Sequence, residues 1–330
     1  STTARYAYVT NFSSGNVSSY VVDTSAGTLT ANGAALASGG TTWSLAADSS
    51  GSYLYVTNRS SNNIRYFAIN ADGTLTDNGI TGVGSPNNPF EIIMHPTLDV
   101  VYVTHTTTTN QISYYTRDPA TGALTFNNSF ATSGAAPNGI VIDPTGSYMY
   151  AMLQNAHAID IHTLDASGVP TFQITLGFSG SPQPFLGAID PTGTYLYVTR
   201  QSDAEISRFT INPPTGILSG GADISTAGTF PNGIAMTPDG SYLYVASLGG
   251  DNVEIYSVGG GGALTFSTTI AADNNTTGIA IDSTGGFLYA ANSSGNNVSM
   301  YSINSGTGGL TSLGDIAAGT GANRIAIVDR

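Results

Sequence analysis

The chain has 330 residues and a formal net charge of −13, and only 9% of its residues are charged. All eight basic residues are arginine and cysteine is absent, which excludes a P-loop, thiol catalysis, disulfide bonds and cysteine-ligated metal sites. The 40% of apolar residues can form a core, but no apolar run is long enough to span a membrane, and no basic stripe favours nucleic acid.

One tyrosine recurs along the chain at intervals of 45 to 48 residues, as Tyr8, Tyr55, Tyr102, Tyr150, Tyr197, Tyr244 and Tyr289. A β-branched residue and then a residue with a ring side chain (Phe, Tyr or His) follow each of these tyrosines at nearly constant spacing. This pattern indicates seven repeats of one structural unit. The first repeat begins directly with a Tyr-Ala-Tyr-Val-Thr-Asn strand at Arg5. Its expected preceding strand is found instead in the last ten residues, 321–330.

Each later repeat is predicted to contain four short strands. The first has the type Gly-Ile-Ala-Ile-Asp, as at 139–143 and 278–282, and an Asp-Pro-Thr-Gly turn leads to a Tyr-Leu-Tyr-Val-Thr strand. A polar loop that ends in Asn precedes the third strand, and a Gly-Leu-Thr turn precedes a nearly uncharged fourth, as at 124–132 and 264–271. No segment shows the period of an amphipathic helix, so the chain is predicted to be all-β.

Four strands per repeat of about 47 residues predict a seven-bladed β-propeller. We expect one domain over residues 1–330, in which 321–330 completes the blade begun by 4–40. Such closure would lock the ring and hide an unpaired strand edge.

The tetrapeptide Tyr-Val-Thr-Asn stands at 8–11 and 55–58, with variants in four further repeats. Over its whole length the chain resembles the YVTN-repeat β-propeller family, which is related to the lactonase and 6-phosphogluconolactonase-like propellers. The resemblance implies either a surface-layer-type protein or an enzyme. Resemblance to the lactonase-like members implies catalytic His, Arg and Glu residues at the channel mouth. These members often have a Pro-Arg-His motif where one blade leads into the next. Four of the corresponding segments here, 87–90, 136–139, 181–184 and 230–233, contain neither Arg nor His.

Aligning the segments that lead into the first strands predicts a ring of side chains at one channel mouth: Trp43, Phe90, Asn138, Phe185, Asn232, Thr277 and Asn323. In the ring formed by the next residue of each repeat, Glu91 and Arg324 are the only charged members. They could anchor a small ligand or ion, or they could be solvated charges that close a water-filled channel. Trp43, Phe90 and Phe185 could stack on a sugar, or could form an apolar plug.

An enzymatic alternative uses His105, His157, Arg200 and Glu205. These residues are expected in the loops after the second strands of the third to fifth repeats, on one face of the ring. Such a group could polarise a carbonyl and activate water, whereas a solvated loop with a local ion pair is the simpler interpretation. The loop 106–109 also departs from the repeat.

The other two histidines are expected elsewhere, His95 in a turn and His162 in place of a core ring. The sequence therefore predicts no metal site and no cofactor. Loops with Asp and Asn could hold a Ca²⁺ ion, but no motif supports one.

The main functional hypothesis is a non-enzymatic, extracellular or cell-surface propeller that assembles into a surface layer, filament or coat. It rests on the uncharged fourth strands, which lack the usual lysine guard, and on the absent catalytic motif. Its partners would be copies of itself, other surface proteins or glycans. The alternatives are a lactonase-like hydrolase of a sugar lactone at the channel mouth and a carbohydrate-binding propeller.

Overall fold

Seven antiparallel sheets form the blades of a ring in this computed structural model, which describes residues 4–83, 87–106 and 110–330. Six sheets have four strands, and the outer strand of the first sheet is in two pieces. The first strand of each blade contacts the first strands of both neighbouring blades, so the contacts run around a closed circle. The predicted all-β, seven-bladed propeller is confirmed.

The strands of blades 1 to 4, apart from the last strand of the chain, are β1 (Arg5–Asn11), β2 (Asn16–Val22), β3 (Leu29–Ala31), β4 (Leu36–Ala37), β5 (Thr42–Ala47), β6 (Tyr53–Asn58), β7 (Asn63–Ile69), β8 (Leu75–Gly82), β9 (Pro89–Met94), β10 (Val100–His105), β11 (Gln111–Arg117), β12 (Leu124–Ala131), β13 (Pro137–Ile142), β14 (Tyr148–Leu153), β15 (Ala158–Leu164) and β16 (Pro170–Gly177). Blades 5 to 7 and the closing strand follow as β17 (Pro184–Ile189), β18 (Tyr195–Arg200), β19 (Glu205–Ile211), β20 (Leu218–Ser225), β21 (Pro231–Met236), β22 (Tyr242–Ser247), β23 (Asn252–Val258), β24 (Leu264–Ala271), β25 (Thr276–Ile281), β26 (Phe287–Asn292), β27 (Asn297–Ile303), β28 (Leu310–Ala317) and β29 (Ala322–Asp329). A single 3-10 turn covers Gly260–Gly262, and no helix of the described chain is long and apolar enough to cross a membrane.

The C-terminal strand closes the ring, as the sequence predicts. Strand β29 pairs antiparallel with β1, from Arg5 opposite Asp329 to Thr10 opposite Arg324. The Arg5 guanidinium also forms ion pairs with Asp329 and with Asp282 of blade 7. The two ends of the chain therefore build one blade, and a buried charge cluster joins that blade to its neighbour.

The recurring tyrosine links each blade to the next. Its hydroxyl donates a hydrogen bond to the carbonyl of a turn glycine in the following blade in all seven cases, over 2.5–3.0 Å. These glycines have φ between 69° and 79°, and a Cβ on Gly73 would lie 2.1 Å from the Tyr6 ring. Burial raises the pKa of all seven hydroxyls, so they stay protonated donors. The seventh bond, from Tyr289 to Gly27, crosses the closure of the ring.

The hydrophobic core lies between neighbouring blades rather than at one centre. One cluster, for example, packs Tyr55 and Ile64 of blade 2 against Val101 and Tyr115 of blade 3. The outer strands expose one face, and on that face Ile80 and Phe172 are 58% and 50% exposed. The pleat of a half-buried strand accounts for this pattern, because alternate side chains point away from the core.

Candidate functional site

A β-bulge in each first strand builds the mouth of the channel. Two adjacent residues of the first strand lie opposite one residue of the second strand, and a bulge of this kind re-aims side chains. The two adjacent bulge residues are Trp43 and Ser44 in blade 2, Phe90 and Glu91 in blade 3, and Asn323 and Arg324 in blade 1. The bulges therefore generate the two rings of side chains that the aligned sequence predicts.

The threonine of the tetrapeptide fixes the backbone of these bulges. The Thr10 hydroxyl donates to the carbonyl of Trp43 in the next blade at 3.0 Å and accepts from the Arg324 N–H of its own blade at 3.1 Å. In the same way Thr57 donates to the carbonyl of Phe90 at 2.8 Å. A structural residue of the repeat thus positions the candidate site residues.

The predicted aromatic group is assembled, but its members differ in exposure. The rings of Trp43 and Phe90 have centroids 4.3 Å apart, and Phe185 meets Phe90 edge-on at 6.2 Å. Phe90 and Phe185 are each only 5% exposed, whereas Trp43 is half-buried and also packs edge-on against Phe12. The two phenylalanines therefore form packing behind the mouth, and Trp43 is the ring that offers surface to a ligand.

The structure brings Glu91 and Arg324 together at the channel. The Nε of Arg324 lies 3.6 Å from Oε2 of Glu91, and Nη1 lies 3.4 Å from both the Asn232 side-chain oxygen and the Thr277 carbonyl. Arg324 is 7% exposed, yet its Nε and Nη2 have no hydrogen-bond acceptor, and Glu91 Oε2 has no donor. Buried polar groups are rarely left unsatisfied, which marks this pair as a site able to bind a polar ligand.

Arg324 separates two cavities. A mouth pocket of about 370 Å³ is lined by Phe12, Ser13, Trp43, Asn232, Leu248, Asn275, Thr277, Ser293, Ser294, Gly321 and Asn323. A channel cavity of about 230 Å³ is lined by both Glu91 and Arg324. Because Arg324 also contacts Asn232 and Thr277 of the mouth pocket, its guanidinium lies between the two spaces. The mouth pocket has the size of a small-molecule site.

Sequence analysis missed Arg59, which also belongs to the mouth. Its guanidinium carbon lies 4.8 Å from the centroid of the Trp43 ring and 5.1 Å from that of Phe90, and its Nε donates to the Asn88 side chain at 2.8 Å. Burial lowers the pKa of Arg59. The residue directly follows the tetrapeptide at 55–58, so aligning that position across the repeats, as was done for the bulges, would have found it.

The four residues of the enzymatic alternative contact their own blades or the segment that leads into the next blade. His105 takes the place of the tetrapeptide asparagine, where it contacts Ser113 at 2.9 Å, and burial lowers its pKa to about 4. His157 contacts the Pro182 carbonyl. Arg200 is paired with Asp203, with Glu205 at 3.1 Å and with Asp223.

No contact among the described residues joins either of these two histidines to Arg200 or to the other. The departing loop 106–109 lies mostly outside the described residues, which stop at Thr106 and resume at Asn110. Of the remaining histidines, His95 accepts the Leu98 N–H in a turn, and His162 lies between two phenylalanine rings. Within residues 4–83, 87–106 and 110–330, no group of three or more His, Cys, Asp or Glu side chains could hold a metal ion.

Comparison with known proteins gives a family match over most of the chain. A family model described as "Lactonase, 7-bladed beta-propeller" matches residues 1–91, 79–175 and 187–326. Among curated protein sequences, none matches the chain.

Solved structures share the fold at low sequence identity. A putative 6-phosphogluconolactonase from Bacteroides uniformis superposes with a TM-score of 0.88 at 18% identity, covering 98% of this chain and 99% of its own. A putative 6-phosphogluconolactonase from Bacteroides fragilis gives 0.87 at 18% identity, covering 99% and 98%. The periplasmic gluconolactonase of Pseudomonas aeruginosa gives 0.83 at 15% identity, covering 98% and 99%.

These comparisons overturn the main functional hypothesis of a non-enzymatic assembly module. The family match and the named neighbours favour the lactonase alternative, and the surface-layer relationship is not confirmed. The hypothesis gave too much weight to lysine-free outer strands and to one missing motif. The composition of a surface does not determine chemistry, which depends on the side chains of a site. The extracellular location stays a prediction.

Proposed function

The chain belongs to the lactonase family of seven-bladed β-propellers, and we propose that it hydrolyses a sugar lactone at the channel mouth. The observation that carries the proposal is the pair formed by Arg324 and Glu91. The buried guanidinium forms an ion pair over 3.6 Å with the carboxylate, but Nε, Nη2 and Glu91 Oε2 make no hydrogen bond. The guanidinium also contacts Asn232 and Thr277, which line a pocket of suitable size.

The mouth pocket offers the contacts that a sugar ring requires. Trp43 provides an aromatic surface for the C–H face of the ring. The side chains of Asn232, Asn323, Ser293 and other polar residues of the pocket can hydrogen-bond to hydroxyl groups. The residues that line the pocket are uncharged, so the hydroxyl groups of a sugar would meet neutral hydrogen-bonding partners there.

Arg324 is suited to polarise the lactone carbonyl. When water adds to this carbon, negative charge develops on the carbonyl oxygen, and N–H donors aimed at that oxygen lower the barrier. Nη2 makes no hydrogen bond and Nε has only the 3.6 Å ion pair with Glu91, so both can act in this way. The Thr10 hydroxyl, which accepts from the Arg324 N–H, holds the backbone of the residue. Because Arg324 is buried, its charge is screened less by water.

Glu91 is suited to act as the general base. Its Oε1 accepts a hydrogen bond from the Ser44 hydroxyl at 2.8 Å, which orients the carboxylate, and Oε2, which faces Arg324 Nε at 3.6 Å, accepts no hydrogen bond. Water in the channel cavity would contact both Glu91 and Arg324. Glu91 takes a proton from this water as the oxygen attacks the carbonyl carbon. The ring C–O bond then breaks, and the proton passes to the leaving oxygen, giving a hydroxy acid.

A pH-stat assay over a panel of aldonolactones tests the proposal, with spontaneous hydrolysis subtracted. We expect Arg324→Gln to lower kcat/KM by roughly 10²–10³-fold. Glu91→Gln, which keeps the shape of the side chain and removes the base, is expected to lower kcat by roughly 10²–10⁴-fold. Circular dichroism and Tm confirm that each variant is folded.

The matched controls are Arg200→Gln and Glu205→Gln, which change the same residue types in the alternative group. We expect both to keep wild-type turnover. If they abolish turnover while the Arg324 and Glu91 variants keep it, the site lies in blades 3 to 5 and the assignment to the channel is wrong. Tight sugar binding by the wild type without turnover of any lactone would contradict lactonase function itself.

A further inference from the structure

A second pair of apolar side chains lies at the channel mouth, in addition to the edge-on pair of Trp43 and Phe12. Leu248 lines the mouth pocket, and its N–H donates to the carbonyl of Phe230 at 3.1 Å. Phe230 also stands two residues before Asn232, which lines the same pocket. The backbone therefore places Phe230 at the rim of the pocket, next to Leu248.

Both residues lie outside the hydrophobic core. Leu248 and Phe230 belong to none of the hydrophobic clusters of the described core, and Phe230 is 51% exposed. The position of Leu248 is polar or charged in five of the other six repeats: Arg59, Thr106, Gln154, Gln201 and Ser293. The repeat thus does not require an apolar residue there, and exposed apolar surface in a pocket is typical of a ligand site.

The backbone of Phe230 is strained. Its φ is 53°, in the left-handed region, where a bulky side chain is costly. The corresponding residues of blades 3, 4 and 7 have the same conformation but smaller side chains: Asn88, Ala136 and Asn275. Strained residues cluster at ligand sites, where the strain is retained because of function. An exposed phenylalanine held in this conformation is therefore a candidate for ligand contact.

The mouth pocket has room for more than a lactone ring. Its volume is about 370 Å³, whereas a protein cavity of roughly 150 Å³ already holds one benzene molecule. A lactone ring that lies against Trp43 therefore leaves space for a second group. Leu248 and Phe230 offer that group apolar surface, and burying apolar surface on both sides of such a contact is favourable.

We propose that the substrate lactone carries an apolar substituent, an alkyl chain or an aryl ring, and that Leu248 and Phe230 bind this group. The proposal rests on the proposed lactonase function and extends it to the part of the substrate beyond the lactone ring. The lactone carbonyl contacts Arg324, the ring lies against Trp43, and the substituent extends to the rim. Leu248 and Phe230 are specificity residues in this arrangement and take no part in bond breaking.

The test compares the butyl and 3-hydroxypropyl ethers of an aldonolactone, each attached at its terminal oxygen. The two ethers have equally long chains and differ only in a terminal methyl or hydroxyl group. We expect KM for the butyl ether to be at least about tenfold lower, because a buried methyl group gains affinity whereas a buried hydroxyl group without a partner loses its hydration. The effect lies in binding, so kcat should be similar for the two ethers.

Phe230→Asn and Leu248→Ser introduce the residues that stand at the same positions in blade 7, Asn275 and Ser293. We expect each variant to reduce the preference for the butyl ether to below about threefold. Phe230→Asn should also raise Tm by roughly 1–2 °C, because asparagine tolerates a positive φ better. A lower Tm with an unchanged preference would show that Phe230 is structural. Phe266→Asn is the matched control, since Phe266 is 42% exposed on the outer strand β24, and it should keep the wild-type preference.

Binding measured without turnover separates this proposal from the proposed function. Trp43 is the only tryptophan, so its fluorescence reports on the mouth. We expect butyl glucoside, which contains no lactone, to bind wild type at least about tenfold more tightly than 3-hydroxypropyl glucoside, and Phe230→Asn to remove this difference. If this holds but no lactone is hydrolysed, the lactonase function is wrong and the apolar subsite stands. Equal KM for the two ethers, or equal affinity for the two glucosides, would overturn the apolar subsite.

Discussion

His162 makes the stability of blade 4 depend on pH. It occupies the position of the recurring core ring, which is phenylalanine or tyrosine in the other six repeats. The imidazole is fully buried between Phe130 and Phe172, and neither ring nitrogen has a hydrogen-bond partner. Burial lowers its pKa to about 4, although the charge of Asp160 acts in the opposite direction. We therefore expect His162→Phe to remove part of the acid sensitivity of the protein.

The magnitude follows from the difference between the folded and unfolded pKa values. The folded value is about 4 against an ordinary value of 6.5, and at about 1.4 kcal/mol per pKa unit the difference corresponds to about 3 kcal/mol. The unfolded chain takes up a proton at His162 below pH 6.5, whereas the folded chain does so only near pH 4. The stability associated with the neutral imidazole is thus fully present above pH 6.5 and is lost as the pH decreases towards 4. Below pH 4 this loss is complete and does not increase further.

Urea unfolding of wild type and His162→Phe at several pH values between 7.5 and 4 measures this effect. Between these limits wild type should lose about 3 kcal/mol more of its unfolding free energy than the variant. Phe209→His is the reciprocal variant, because Phe209 occupies the same position in blade 5 and packs against Phe178 at 5.8 Å. It should gain acid sensitivity. Parallel pH profiles for wild type and His162→Phe, or an NMR titration of His162 near pH 6.5, would refute the reasoning.

Two further predictions concern the bonds between blades. Tyr289→Phe removes the hydroxyl that donates to Gly27 and should lower the unfolding free energy by about 1–3 kcal/mol. Tyr55→Phe, which removes the equivalent bond to Gly122, should give a similar loss. If the unfolding constants of the two variants differ by about tenfold, the seven bonds are not equivalent. Thr10→Val removes the acceptor of the Arg324 N–H and one of the two donors to the Trp43 carbonyl, the other being the Asn323 side chain, so it should shift Trp43 fluorescence and reduce lactone turnover. Unchanged emission and activity would show that Thr10 does not position the site.

The repeat made most of the fold predictable from sequence. Spacing alone identified seven units, and the missing first strand of the first unit predicted the pairing of β29 with β1. The tetrapeptide now has a structural explanation, because Tyr8 bridges to the next blade and Thr10 fixes the bulges. These bonds depend on backbone geometry that every repeat shares, so they leave a clear signal in one sequence.

The site was only partly predictable, because its properties depend on side chains from different blades. Alignment placed Glu91 and Arg324 in one ring, but neither their 3.6 Å separation nor their unpartnered atoms could be read from the sequence. The burial of Phe90 and the position of Arg59 over its ring also depend on packing across blades. Function was the least predictable, since mouth residues can change while the blades keep their geometry.

The placement of Arg324 on β29 has a consequence for biosynthesis. Strand β29 is made after all the other described strands, and until it is available β1 lacks its partner and the channel lacks this guanidinium. A nascent chain with six finished blades therefore lacks one member of the proposed catalytic pair. The ability to hydrolyse a lactone would appear only when the ring is complete. A partly translated or C-terminally truncated molecule would therefore be inactive rather than active on the wrong substrate.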